Sequence, residues 1–169
     1  MDESDASDEQ ADTDDEAVTG TFLVTHADEE SAVLRDADTG QVHTLSENPG
    51  LDAETVIEAT VTPEPPMGVT YDVREVAERR EVAVRASGET PTTQAREIAA
   101  EQSVGEVTRQ ERAGDGELHV LTVPDDRTEV AVDDVVNDRE TRLLQAARAG
   151  ASHVEVRSEE GVVSVRYLP

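Results

Sequence analysis

Three side chains near the start of the chain have the types needed for a metal site or an acid–base site. His26 and His43 lie on predicted strands, and Asp28 follows His26 closely. Imidazole and carboxylate groups are common zinc ligands, and imidazole exchanges protons near neutral pH. No further ligand stands at a spacing that would complete a site. We therefore favour two surface imidazoles at strand ends and predict no metal and no catalytic residue.

Four arginines form a locally basic segment in an acidic chain. They lie within twelve residues that contain only three Glu. They are Arg74, Arg79, Arg80 and Arg85. Clustered guanidinium groups are typical of contacts to phosphates or to an acidic partner. The alternative, which we favour, is cross-strand pairing with the segment's own glutamates, Glu75, Glu78 and Glu81.

A proline-rich loop carries one large apolar side chain. The segment Pro63-Glu64-Pro65-Pro66-Met67-Gly68 separates two predicted strands, and its prolines make it stiff and extended. Met67 stands at the tip, where it would either dock on a partner or fold back onto the domain; the sequence favours neither outcome. Met67 and the four arginines are the candidate partner contacts.

Other patterns that resemble sites have simpler explanations. Gly114-Asp115-Gly116 lies between two predicted strands, whereas a nucleotide-binding loop joins a strand to a helix. Carboxylate pairs single out no catalytic group in a chain with 40 acidic residues. The absence of Cys excludes a disulfide, a thiol nucleophile and Cys-ligated zinc. We expect no cofactor.

The charge of the chain limits the choice of partner. Its 169 residues carry a formal net charge of -26, with 40 acidic residues against 14 basic ones, all of them Arg. Such charge density repels itself, and 1 M salt relieves most of the repulsion by shortening the screening length to about 3 Å. The composition is typical of cytoplasmic proteins of archaea that accumulate salt. An acidic surface also disfavours nucleic acid as a partner.

Nothing in the sequence predicts a membrane or export role. No apolar run approaches the ~20 residues needed to span a bilayer. The N-terminus is acidic where a signal peptide is basic, so we expect a cytoplasmic protein without a membrane partner. Residues 1–19 carry nine acidic side chains and no basic one, and we predict a disordered, solubilising tail there.

Residues 20–87 are predicted to form a small β-barrel. Five or six short segments alternate apolar and polar residues, as Ile57, Ala59 and Val61 do with their neighbours. The last of these segments is 82–86. Closure would remove exposed strand edges. The order of hairpin-linked strands, a longer link and further strands is similar to that of OB-fold barrels, which often bind oligonucleotides on one sheet face.

Residues 88–169 are predicted to form an α-β-β duplication, which makes the whole protein α+β. Arg96–Pro124 and Arg142–Pro169 each run helix, strand, Gly-containing turn, strand and Pro. We expect helices near 91–102 and 127–150, the first capped by Thr90. The duplication predicts a four-stranded, mostly antiparallel sheet with helices on one face.

The alternating pattern predicts only some of the core residues of this second domain. Val163, Val165 and Tyr167 are expected to face it. The strand Leu118–Val123 could present either of two alternating sets of side chains, and the pattern does not choose between them.

The hairpin Glu111–Pro124 and the segment Pro63–Met67 carry a resemblance to a known family. There the sequence resembles an uncharacterised haloarchaeal family of unknown function, over residues 20–169. The resemblance implies lineage and cytoplasmic location. It implies no activity, cofactor or catalytic residue.

Three functional hypotheses follow. The first is a non-enzymatic, salt-adapted binding or adaptor module with a protein partner. The sequence predicts no oligomeric state for it. The second is a nucleic-acid-associated OB-like module that contacts phosphates through the four arginines. The third is an enzyme with its site between the domains.

Overall fold

The computed structural model describes residues 16–112 and 115–169. Over this part of the chain the protein is α+β and mostly β, with two mixed five-stranded sheets and three α-helices. It divides into two compact units, the first ending at Glu81 and the second beginning at Val82. Residues 1–15 of the predicted tail lie outside the described residues. The end of that tail is ordered, because the first strand begins at Val18.

The described residues of the first unit form five strands. They are β1 (Val18–Ala27), β2 (Ala32–Asp36), β3 (Val42–Leu45), β4 (Thr55–Pro63) and β5 (Tyr71–Glu81). They pair in the order β1-β2-β3-β5-β4, and β4 pairs back onto β1 to close the ring. β3 and β5 are parallel, and the other neighbours are antiparallel.

The alternation read from the sequence places the apolar side chains inside this ring. Phe22, Leu34, Ile57 and Val61 are fully buried there. β5 departs from simple alternation, because two bulges interrupt its pairing with β4. Each bulge adds an unpaired residue to β5 and turns the following side chains to the other face.

The described residues of the second unit form five strands and three α-helices. In chain order they are β6 (Ala83–Ala86), α1 (Thr93–Glu101), β7 (Val107–Glu111), β8 (Glu117–Thr122), α2 (Thr128–Asn137), α3 (Arg139–Ala149), β9 (His153–Glu159) and β10 (Val162–Leu168). The sheet order is β6-β9-β10-β8-β7. β7–β8 and β9–β10 are the two predicted hairpins.

β6 belongs to this sheet and not to the ring. It pairs in parallel with β9, and the Ala83 amide donates to the Ser152 carbonyl at 3.0 Å. The sheet therefore has five strands where four were predicted. The division between the units falls at Glu81/Val82, ahead of the predicted boundary at 87/88. The alternating apolar pattern of β6 suits either sheet. The pattern could not choose between them because β9, the partner of β6, lies far along the chain.

Helices cover both faces of the second sheet, so the prediction of helices on one face is wrong. α1 packs against Leu118 and Val120. Val120 pairs with Ser164, so the alternation along β10 turns Val165 and Tyr167 to the opposite face. α2 and α3 contact β9 and β10. On β8, Leu118 and Val120 are buried on the first face, and His119 is only 4% exposed on the second, whereas Leu121 and, just after the strand, Val123 are half-buried.

The helix ends differ from the prediction in detail. The N-cap of α1 is Thr92, not Thr90, and its hydroxyl accepts from the Ala95 amide at 3.2 Å. The long helical region breaks at Asp138, which has no side-chain capping bond. Gly150 caps the C-terminus of α3 in the left-handed conformation with φ of 71°, where the predicted helical region ends.

Candidate functional site

The histidines of the first unit do not form the site that their residue types suggested. His26 Nε2 lies 3.4 Å from Asp28 Oδ2, with both side chains exposed. His43 is 1% exposed, inside the ring. Its ring makes edge-on contacts with Phe22 at 5.5 Å and Tyr71 at 4.6 Å between centroids. The prediction of two surface imidazoles is therefore wrong for His43.

The surroundings of Asp28 and His43 are those of residues that stabilise the fold. The backbone amides of Ser31 and Glu30 donate to Asp28 Oδ1 and lower the pKa of that carboxyl. Burial lowers the pKa of His43. Within residues 16–112 and 115–169, no group of three or more metal-ligating side chains is placed to hold an ion.

The structure divides the four arginines between the two units. Arg74, Arg79 and Arg80 lie on β5, whereas Arg85 lies on β6. Arg79 Nη1 donates to the Gly50 carbonyl at 2.9 Å. Arg85 Nη2 lies 3.6 Å from Glu155 Oε2, so its partner comes from β9 and not from the glutamates nearby in sequence.

The loop between β4 and β5 presents two apolar side chains. In this Met67 loop (residues 64–70), the Glu64 amide donates to the Thr70 carbonyl and the Gly68 amide to the Glu64 carbonyl, both at 2.8 Å. The Ser46 hydroxyl donates to the Glu64 carboxylate. Met67 is 78% exposed and Val69 69% exposed. Of the two outcomes that the sequence left open, Met67 projects into solvent and does not fold back.

An ion-pair network lies on one face of the second sheet. Glu155 is 7% exposed and accepts from Arg157 Nε at 2.5 Å and Arg166 Nη1 at 2.9 Å. Arg157 also donates to Glu89 at 2.7 Å. Burial would raise the pKa of Glu155, but the hydrogen bonds from the two arginines outweigh it and the pKa is lowered. The network fixes β9, β10 and the segment before α1.

A second polar group lies on the other face of this sheet. His119 and Tyr167 have their ring centroids 4.7 Å apart, and His119 Nε2 is 3.3 Å from Glu117 Oε1. Tyr167 is fully buried, and burial raises its pKa to about 12. Sequence reasoning assigned Tyr167 to the core and overlooked this group. The one available signal was a Tyr, which carries a hydroxyl, at a position otherwise suited to Phe.

These features define a two-unit α+β protein with two distinctive features, an exposed apolar loop in the first unit and a buried polar group in the second. Residues 18–158 match the model of a family described as "Family of unknown function (DUF5812)". The match covers most of the chain, so the protein belongs to this family, and the resemblance to a family of unknown function is confirmed. No curated protein and no solved structure matches the chain. In the part of the chain that the structure describes, no helix is long and apolar enough to cross a membrane.

Proposed function

We propose that this protein is a non-enzymatic binding or adaptor module of a salt-rich cytoplasm, and that it recognises a protein through the Met67 loop. The exposure of Met67 and Val69 on one short loop is the observation that carries the proposal. Burying apolar surface on binding is worth roughly 25 cal/mol per Å².

The hydrogen bonds within the loop favour the same role. They hold Glu64, Gly68 and Thr70 in place before a partner arrives. A preorganised loop loses little conformational entropy on binding, so more of its contact energy contributes to affinity. Glu64 at the base and Asp72 beyond the loop make its surroundings acidic. A matching partner has an apolar cleft with a neutral or basic rim.

The test compares two double variants of the same chemistry. Met67→Ser with Val69→Ser removes both apolar side chains of the loop. Val104→Ser with Val107→Ser is the matched control, because those valines are also exposed, at 62% and 48%, and lie in the second unit. Each protein is used as bait in a high-salt extract of the native cells, and the recovered proteins are quantified.

We expect a protein that is recovered by the wild type and the control but lost by the loop variant. Titration of that protein, once purified, should then show at least roughly tenfold weaker binding to the loop variant, since central apolar contacts carry ~1–2 kcal/mol each. Equal recovery by all three baits would contradict the proposal.

We also propose a fold type for each unit, an OB-like barrel for the first and a duplication for the second. The closed order β1-β2-β3-β5-β4 supports an OB-like barrel for the first unit. Two helix-hairpin segments, α1-β7-β8 and α3-β9-β10, support a duplication in the second, with β6 added at its edge.

The strand order also supports the alternative function, an OB-like nucleic-acid module. The arginines of that module on the ring are Arg74, Arg79 and Arg80, because Arg85 lies on β6 in the second unit. Fluorescence anisotropy of labelled single-stranded oligonucleotides tests it. Saturable binding that falls in Arg79→Gln, with exposed Arg127→Gln unchanged, would favour this alternative over the adaptor.

A further inference from the structure

Four side chains converge on one face of the second sheet. Arg109 on β7, His119 on β8 and Val165 on β10 are paired in a row across three strands. Tyr167 lies two residues further along β10 on the same face, with its ring against His119. Arg142 belongs to α3, which contacts β10. The row of strands and the helix therefore place two guanidinium groups and one phenol around His119.

Two donors of this group have no acceptor. The Tyr167 hydroxyl is fully buried, and neither it nor the buried Arg142 Nε has a hydrogen-bond partner among the described residues. Buried polar groups in native proteins are almost always satisfied by protein, an ion or water. His119 is different, since its Nε2 already faces the Glu117 carboxylate at 3.3 Å.

Among the described residues, the two guanidinium groups also lack an ion-pair partner. Arg85, Arg96, Arg157 and Arg166 each pair with a glutamate. Arg109 and Arg142 form no ion pair with any residue that the structure describes. In a chain with 40 acidic residues a carboxylate is easily supplied. Two arginines with no ion pair to a described residue, beside one buried hydroxyl, are therefore suited to an anion that comes from outside the chain.

The electrostatics of His119 and Tyr167 agree with this convergence. Burial lowers the pKa of His119; the Glu117 carboxylate acts against this lowering, and the charges of Arg109 and Arg142 add to it. Burial raises the pKa of Tyr167, and the same two charges act against that rise. The Tyr167 hydroxyl remains protonated at neutral pH and is available as a donor. Arg109 is exposed and Arg142 half-buried, so the group is in contact with solvent through these two arginines.

We propose that the second unit binds a small oxyanion, a phosphate or carboxylate group, through Tyr167, Arg142 and Arg109. The planar fork of a guanidinium group matches the paired oxygens of either anion. The Tyr167 hydroxyl donates a further hydrogen bond to the anion. This Tyr167 site is separate from the Met67 loop and does not depend on the adaptor function.

The wild-type protein offers a direct readout, because it contains only two tyrosines and no Trp. Protein labelled with ¹³C at tyrosine Cζ gives two resonances, which Tyr71→Phe assigns. Inorganic phosphate, and separately acetate, is titrated at constant ionic strength with chloride as the replacement anion. We expect the Tyr167 resonance to shift and saturate while the Tyr71 resonance stays in place.

Two variants of equal charge test the role of Arg142. Arg142→Gln should weaken the saturable shift at least roughly tenfold, since a charge-assisted hydrogen bond is lost. Arg127→Gln makes the same change of charge at an exposed position and should leave the affinity unaltered. Saturation by phosphate alone or by acetate alone supports the site and identifies which anion it takes. A linear response, no response, or equal weakening in both variants would overturn the proposal.

Discussion

Arg166 on β10 donates a 2.9 Å hydrogen bond to Glu155, its Cα partner on β9. Arg157 donates to the same oxygen at 2.5 Å, so one buried carboxylate receives two charged donors. Such a group is favourable only while all its members are present, because a buried charge without its partner is costly.

Glu155→Gln is therefore expected to destabilise the second unit by about 3 kcal/mol, since two arginines lose their shared counter-charge. Glu159→Gln is the matched control. Glu159 pairs with Arg96 at 2.8 Å, but the two side chains are 34% and 45% exposed, so its loss should cost about 0.5 kcal/mol. Denaturant unfolding in concentrated KCl measures both. Equal effects would show that Glu155 gains nothing from burial.

Stability should decline as the pH falls below the ordinary histidine value of 6.5, because His43 and His119 both have lowered pKa values. A group with a depressed pKa is neutral in the folded state and takes up a proton on unfolding. Its contribution is fully present above 6.5 and is lost progressively down to the folded-state pKa. Each histidine adds at most about 1.4 kcal/mol per pH unit to the slope.

His43→Leu removes the contribution of His43 to the pH dependence of stability. Neither ring nitrogen of His43 has a hydrogen-bond partner among the described residues, so an apolar side chain should be tolerated at neutral pH. The slope of stability against pH should decrease, and His119 should account for the remainder. His26→Gln serves as the exposed control. An unchanged slope in His43→Leu would refute the assignment.

Gly116→Ala should be far more damaging than Gly105→Ala. Both glycines have positive φ, 102° and 93°, so both substitutions carry the backbone penalty of about 1–2 kcal/mol. A Cβ at Gly116 would lie 2.0 Å from the Tyr167 carbonyl oxygen, whereas one at Gly105 meets nothing within 4 Å. The difference between the two melting temperatures measures the contact. Equal melting temperatures would mean that β10 does not approach Gly116 this closely.

Folding should require salt. The net charge of -26 repels itself, and dilution from molar to low KCl lengthens the screening distance. We expect loss of circular dichroism signal and a lower melting temperature on dilution, both reversed when KCl is restored. An unchanged spectrum and melting point would exclude salt adaptation.

The local pattern predicted elements well where one face is buried and one is open. Ile57, Ala59 and Val61 are an example, and the β9–β10 hairpin with its turn at Gly161 is another. The local pattern could not predict which strands pair when they lie far apart in the sequence. β6 alternates like a ring strand but pairs with β9. Leu118, His119 and Val120 are all buried, so alternation could not reveal that helices cover both sides.

The candidate sites follow the same rule. The Met67 loop was visible because three prolines and a Met are a local signal. The Tyr167 site was not, because Arg109, Arg142 and Tyr167 come from three separate elements and meet only through tertiary packing. The partner of Arg85 was missed for the same reason, since Glu155 lies on β9.

The parallel pairing of β6 with β9 has a consequence for synthesis on the ribosome. The strands of the first unit are all made before β6 emerges, whereas β6 has no partner until nearly the whole second unit has been translated. Parallel, non-local pairing is slow because the loop must close before any contact is gained. The first unit is therefore free to fold during translation, and the second must wait until its last hairpin, β9–β10, has emerged from the ribosome.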